Sequence, residues 1–364
     1  MTTSTISTNR SSLLKEAIQE RLPEYQALAL DIHQHPEVSN YEFYSSATLI
    51  RQLEKEGFTV EKEVAGHRTG FAASYRSDKP GPTIAFLAEF DALPGIGHAC
   101  GHNLFGTYSV LAASIIKKQI DEIGGEIRVY GTPGEEGGEN GSAKGSFVSE
   151  GLFDDVAAAL CAHPAYRYGK TTESLANDPV DIKFYGVAAN VIPEYAAGRF
   201  YLRAGNRQTL DIVFKKVEQI VKGAALSTGT SYEFGLFQNA VDHMIPTPSF
   251  DELFFTHAKA AGVPETEIDV TEKTSLGSSD VGNVSQVIPT IQPTISISDE
   301  YIAGHSEEFK AAAKSEKGLA SIAIAAELLA ATALDLFEQP ALLTKIQEEH
   351  QQLLEKSQLT GSTF

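Results

Sequence analysis

Cysteine is nearly absent from this chain: only Cys100 and Cys161 occur among 364 residues. Two thiols make no disulfide framework, and their scarcity points to a reducing, cytoplasmic compartment. Basic residues are also few. Twenty-nine Lys and Arg against 48 Asp and Glu leave a formal charge of −19, which repels phosphate backbones and anionic membrane surfaces. Neither nucleic acid nor a membrane is therefore expected as a partner. The stretch Met1–Arg10 is rich in Ser and Thr and lacks an apolar core, so it does not read as a signal peptide or an anchor. No later apolar run reads as long enough to span a bilayer. Internal repeats and low-complexity tracts are missing. No Gly-x-Ser-x-Gly elbow occurs either, which argues against a nucleophilic serine hydrolase.

What is present describes a globular chain. Hydrophobic residues make up 42% of it, enough for a sizeable core, and the length suggests two domains. Thirty Gly and 15 Pro punctuate it often, as short loops between many strands and helices require. Helical periodicity runs over Ser11–His33 and Ser45–Glu56, and again over Leu104–Ile120. Between these lie strand-like runs at Phe71–Tyr75, Thr83–Ala88, Glu126–Gly131, Val156–Ala162 and Thr290–Ile297. Such alternation predicts an α/β fold with a mostly parallel sheet flanked by helices. From Val180 to Phe237 the pattern changes to strands at Val180–Tyr185, Tyr195–Arg203 and Ser231–Phe237 with one amphipathic helix at Gln208–Leu226. This predicts a small inserted α+β domain, with residues 1–177 and 244–364 forming the two parts of the main domain around 178–243.

Residues with metal-binding chemistry gather just after the predicted strands. The string Glu89-Phe-Asp-Ala-Leu-Pro-Gly-Ile-Gly-His-Ala-Cys-Gly-His-Asn103 follows Thr83–Ala88. Cys100 and His102 are two apart, so in an extended segment they point the same way and can meet one cation; alone, the pair reads equally as a buried Cys beside a core His. Gly131-Thr-Pro-Gly-Glu-Glu-Gly-Gly138 follows the next strand, and its adjacent carboxylates diverge, one toward metal and one toward substrate. A solvated acidic turn is the ordinary reading of Glu135 and Glu136, weakened here by glycines that let ligands approach closely. His163 follows Val156–Ala162, and His305 follows Thr290–Ile297 across a short loop. Each is an ordinary loop histidine when seen singly. Together they mark the strand-end edge where α/β sheets form ligand sites.

The strings Asp-Ala-Leu-Pro, Gly-His-Ala-Cys-Gly-His-Asn, Gly-Thr-Pro-Gly-Glu-Glu-Gly-Gly, Asn190-Val-Ile-Pro and Ser279-Asp-Val-Gly-Asn-Val-Ser resemble the aminoacylase and carboxypeptidase-G family of dinuclear metallohydrolases. They are most similar to its aminobenzoyl-glutamate hydrolase and aminoacylase-like branch, from the N-terminal helix to about Ala330. The resemblance implies a metallo-exopeptidase-like catalytic domain with two divalent cations per chain. It implies Cys100, His102, Glu136, His163 and His305 as metal ligands, Glu135 as general base and Asp91 as the residue orienting the site. Glu89 stands where other branches carry a ligand His. Asn190 and Arg203 match positions that handle the substrate's carboxylate, although for Arg203 a solvated surface Arg is an equal reading. His33 and His35, in His-Gln-His-Pro-Glu, match a helix end and are left out of the site.

A site of this kind hydrolyses the amide bond of a small N-acyl amino acid, an aminobenzoyl-glutamate-like conjugate or a dipeptide, with Glu135 taking the proton of a metal-activated water. Thiolate, imidazole and carboxylate together suit Zn or Mn, with Co or Ni also compatible. A non-catalytic metal-binding homologue is the alternative, and retention of Glu135 argues against it. One departure stands out. Relatives carry a longer lid, whereas Val180–Gly186 here runs almost directly into Val187–Pro193. The resemblance therefore implies a shortened lid of about three strands and one helix, a newly exposed sheet edge, and a weakened lid-to-lid homodimer.

Overall fold

Short apolar runs that end where polar residues begin form the centre of the molecule, because a strand buried on both faces has no place for polar side chains. The computed structural model describes residues 3–186, 194–269 and 277–360, with side chains from 12 to 359. The strands are β1 Thr59–Lys62, β2 Phe71–Arg76, β3 Thr83–Ala88, β4 Glu126–Gly131, β5 Ala158–Leu160, β6 His163–Ala165, β7 Tyr168–Gly169, β8 Ala176–Tyr185, β9 Tyr195–Ala204, β10 Ser231–Leu236, β11 Ile268–Asp269, β12 Thr290–Ile291 and β13 Thr294–Ser296. The helices are α1 Thr3–Gln34, α2 Phe43–Lys55, α3 His102–Ile115, α4 Lys117–Ile123, α5 Ala143–Ser149, α6 Arg207–Thr228, α7 Pro248–Ala260, α8 Val281–Ser285, α9 Glu307–Ala312, α10 Glu316–Glu338 and α11 Pro340–Thr360.

The main sheet has the order β1-β2-β4-β3-β5-β12. Its four strands β4, β3, β5 and β12 are parallel, and the edge pair β1 and β2 is antiparallel. The mostly parallel sheet expected from the sequence is thus present, flanked by helices. One of the predicted strands is divided. Thr290–Ile297 breaks at Pro293, which has no N–H to give a ladder, and the chain passes from β12 in the main sheet to β13 in a second sheet of order β11-β7-β13-β6. The same switch occurs between β5 and β6, and it sets His163 at the junction of the two sheets.

α10 corrects one sequence reading. It is long and apolar enough by length and composition to cross a membrane, although no run was expected to be. Its residues explain themselves by packing: Ile322, Leu328, Leu329, Leu334 and Leu336 are fully buried, and its many alanines let α1 and α3 approach closely. Each fully buried leucine or isoleucine contributes ~1.5–3 kcal/mol of transfer free energy, so the apolar character serves the core.

The inserted segment forms a three-stranded antiparallel sheet of order β10-β8-β9 with α6 packed against all three strands. α6 starts at Asn206, whose side chain accepts the Thr209 N–H at 2.8 Å, and stops at Gly229 in the left-handed conformation. Among the described residues both flanks of the sheet are edges, and β9 leaves Tyr195, Phe200 and Tyr201 about half exposed. The two connections to the rest of the chain lie side by side. Asn177 and Val241 exchange backbone hydrogen bonds of 2.8 and 2.9 Å. Arg207 fastens the same place, reaching Asp178 Oδ1 and Asp242 Oδ1 at 2.6 Å each and the Val241 carbonyl at 2.8 Å.

Candidate metal centre

The ends of β3, β4 and β5 deliver most of the centre, and a loop after β13 closes it. Beyond β3 come Glu89 and Asp91, both sealed from solvent. Cys100 and His102 follow, but not on an extended segment as their spacing suggests. Gly101, at φ 79°, makes a left-handed turn that ends one loop and opens α3, and this turn brings the two side chains together. A Cβ at Gly101 would also lie 2.9 Å from Pro164, so glycine is required twice over.

Among the described residues, three groups have donor atoms within 4.8 Å of one another: Cys100, His102 and His163; Cys100, Glu136 and His305; and Glu89, His102 and Glu135. The first two share Cys100, and together they contain the five residues expected as ligands. Cys100 Sγ stands 3.3 Å from His163 Nε2, and His305 Nε2 stands 3.4 Å from Glu136 Oε2. Glu135 and Glu136 do diverge, each joining a different group. His305 adopts φ 58°, rare for a residue with a side chain, and its N–H donates to the Ala99 carbonyl at 3.1 Å, which ties its loop to the Cys100 loop.

Asp91 orders the interior of this arrangement. One of its oxygens accepts from His102 Nδ1 at 2.8 Å and the other accepts the Glu136 N–H at 2.9 Å. With Nδ1 held by Asp91, His102 has Nε2 left to offer a cation, and that nitrogen stands 3.2 Å from Glu89 Oε2. The Glu135–Glu136 loop is held from two further sides. Glu42, fully buried, accepts the Gly134 N–H at 3.0 Å and the Thr69 hydroxyl at 2.8 Å, while Gln238 accepts the Gly138 N–H at 2.9 Å. Gly134 has φ 69°, and a Cβ there would lie 2.3 Å from Ser39 Oγ.

The chemistry of these donors fits divalent cations. Glu136 Oε1 is buried without a hydrogen-bond partner, and His102 Nε2 makes no hydrogen bond although Glu89 Oε2 lies 3.2 Å away, a state that polar atoms seldom keep unless something else meets them. Desolvation, and then the Glu136 carboxylate, raise the Cys100 thiol in the metal-free protein. Desolvation and the neighbouring Glu89 and Glu136 carboxylates raise Glu135 well above the usual carboxylate range. His163 is pushed down to about 4 by desolvation and by His102, so its imidazole is neutral and able to ligate. Positive charge placed among these groups favours thiolate and carboxylate, which is the direction a bound cation works.

The remaining expected residues stand differently. Arg203 lies on β9 opposite Asn177, its guanidinium 5.9 Å from the centre of the Tyr201 ring, on the inserted sheet rather than on the strand ends. Asn190 lies outside the described residues. His33 is buried at the end of α1 with Nε2 3.0 Å from the Lys310 carbonyl, a packing role. Lys144 and Asp280, neither expected in the site from the sequence, are both buried, with Lys144 between Glu89 and Asp280. Asp280 lay inside the Ser279–Ser285 string, but a single Lys among small residues at 143–146 carries no signal of its own.

Residues 85–335 match the family described as Peptidase family M20/M25/M40. The chain is 27% identical to the Xaa-Arg dipeptidase of Mus musculus, over 96% of this chain and 95% of that protein. It is 27% identical to a p-aminobenzoyl-glutamate hydrolase polypeptide of Escherichia coli (strain K12), over 93% of this chain and 94% of that one. The fold is similar to a Bacillus subtilis protein described as a dinuclear metal binding peptidase from the M20 family, with a TM-score of 0.64 at 19% identity over 88% of this chain and 99% of the other.

Proposed function

The chain belongs to peptidase family M20/M25/M40, and on that premise we propose that its centre hydrolyses the amide bond of a small N-acyl amino acid, an aminobenzoyl-glutamate-like conjugate or a dipeptide. The observation that carries this reading is the pair of donor groups joined at Cys100, beside a separate carboxylate, Glu135. Cys100, His102, His163, Glu136 and His305 would hold two divalent cations, with Zn or Mn the best match to mixed thiolate, imidazole and carboxylate donors and Co or Ni compatible. Cations bound there supply Lewis-acid polarisation of the scissile carbonyl and a lowered pKa for water.

The protein's own groups do the rest. Glu135, next to but outside the five-residue set, takes a proton from water and returns it to the departing amine. Asp91 fixes His102 in the tautomer that offers Nε2 and holds the Glu136 backbone in register with it. Glu42 and Gln238 keep the loop that carries both glutamates from drifting. Arg203 on β9 and Asn190 are proposed to hold the substrate's carboxylate. A metal-supplemented screen of N-acyl amino acids, dipeptides and aminobenzoyl-glutamate tests the reading: turnover that chelation removes and Mn²⁺ or Zn²⁺ restores is expected. Zero turnover on all three classes by a chain carrying two cations overturns it and leaves a metal-binding homologue.

Residues 178–243 are proposed to act as a reduced lid, a reading supported by the three strands and single helix among the described residues of that segment. With so small a lid, a lid-to-lid homodimer is weak and turnover on family substrates is low. Light scattering checks the first point, and a stable dimer through β9 or β10 overturns it. Two unpaired cysteines support a cytoplasmic setting.

A further inference from the structure

Lys144, at the start of α5, is fully buried, and its ammonium lies 2.6 Å from Asp280 Oδ1 and 2.8 Å from Glu89 Oε1. Its backbone N–H donates to the other Asp280 oxygen at 3.1 Å, so one carboxylate grips both ends of the residue. Glu89 faces His102 Nε2 at 3.2 Å and belongs with His102 and Glu135 to the third group of donor atoms. By residue types alone this group is a cation site.

His102 has one nitrogen to give, because Nδ1 is committed to Asp91. When Nε2 serves the group with Cys100 and His163, the acidic group keeps two carboxylates and no neutral ligand. Asp280 adds a third carboxylate close by. Negative charge packed this deeply requires a positive partner, and Lys144 is the cation in contact with it.

We propose that Lys144 is a built-in cation: its ammonium takes the positive-charge position of the Glu89–Glu135–Asp280 cluster, keeps a third divalent ion out, and so leaves Glu135 free of metal to carry protons. Asp280 is the positioning residue that aims it. The proposal rests on the reading of Cys100, His102, Glu136, His163 and His305 as the ligands of two cations.

Equilibrium dialysis of the metal-stripped full chain against Mn²⁺ tests it. Two cations per chain are expected for the wild type, three for Lys144→Met, and two again for Lys144→Met combined with Glu89→Gln. The extra cation should also make Lys144→Met activity fall at Mn²⁺ concentrations that the wild type tolerates. Two cations on a folded Lys144→Met overturn the proposal while the ligand reading stands. Should Lys144→Met fail to fold by circular dichroism, Glu89→Gln decides: unchanged binding of two cations supports a Glu89 engaged by lysine, and loss of one overturns it. A wild type that binds no cation removes the ligand reading and the proposal with it.

Discussion

Asp91 Oδ1 accepts the Nδ1–H of His102 at 2.8 Å, with both side chains sealed from solvent. An amide in place of that carboxylate offers a weaker acceptor, or a donor that forces the wrong tautomer on the ring. Asp91→Asn is therefore expected to lower metal affinity about 10–100-fold, the usual worth of a carboxylate behind a ligating histidine. Competition with a chromogenic chelator measures it, and unchanged affinity would show that His102 needs no orienting partner.

Glu135→Gln removes the proton acceptor and keeps the side chain's size, with Glu136 untouched. Turnover should fall about a hundredfold or more while bound metal stays constant. Near-normal kcat with saturating metal would move the base elsewhere.

The two thiols should behave differently. Cys161 is buried in the core beside the Ile291 carbonyl, whereas Cys100 is only half-buried at the centre. A disulfide reagent is expected to modify one thiol in the native metal-free chain and both after unfolding, with divalent metal protecting the first. Cys100→Ser should lower metal affinity and flatten its fall toward acid pH, since one protonating ligand is gone. Unaltered metal content in this variant would count against the thiolate.

Burial pushes the Asp251 carboxyl up to about 6, even though Thr171 donates both its N–H and its hydroxyl to Oδ1 at 3.0 and 2.9 Å. A folded value above the unfolded one means that the contribution to stability is complete below about pH 4 and is lost as pH rises through about 6. Asn keeps the accepting oxygen and never ionises. Relative to wild type, Asp251→Asn should thus gain about 2 kcal/mol between about pH 4.5 and about pH 7.5 in urea unfolding of the metal-free chain. A difference independent of pH would contradict the assigned cause.

The strands carrying the centre were readable because Thr83–Ala88 and Glu126–Gly131 are apolar runs bounded by turn residues, and the structure gives them the same limits. Thr290–Ile297 contained its own break in Pro293, since a missing N–H ends a ladder wherever it falls. The meeting of Cys100 with His102 was legible, but its cause was not. Two-residue spacing suggested a strand, while Gly101 turns the chain left-handed. α10 looked unexceptional in sequence because alanines dilute its leucines, and only the crowding by α1 and α3 shows why so few polar residues are tolerated. Lys144 stayed hidden for a different reason. Its partner Asp280 is 136 positions away, and no local pattern announces an ion pair made by folding.

The clasp between Asn177 and Val241, stapled by Arg207, bears on how such chains change over generations. Everything between those two residues leaves and returns through a single doorway. Insertions and deletions within β8, β9, α6 and β10 can accumulate without displacing Glu89, Cys100 and Glu136, provided Gln238 keeps its hold on the Gly138 N–H. Inheritance can therefore revise that sheet and its helix while the ends of β3 and β4 are passed on unaltered.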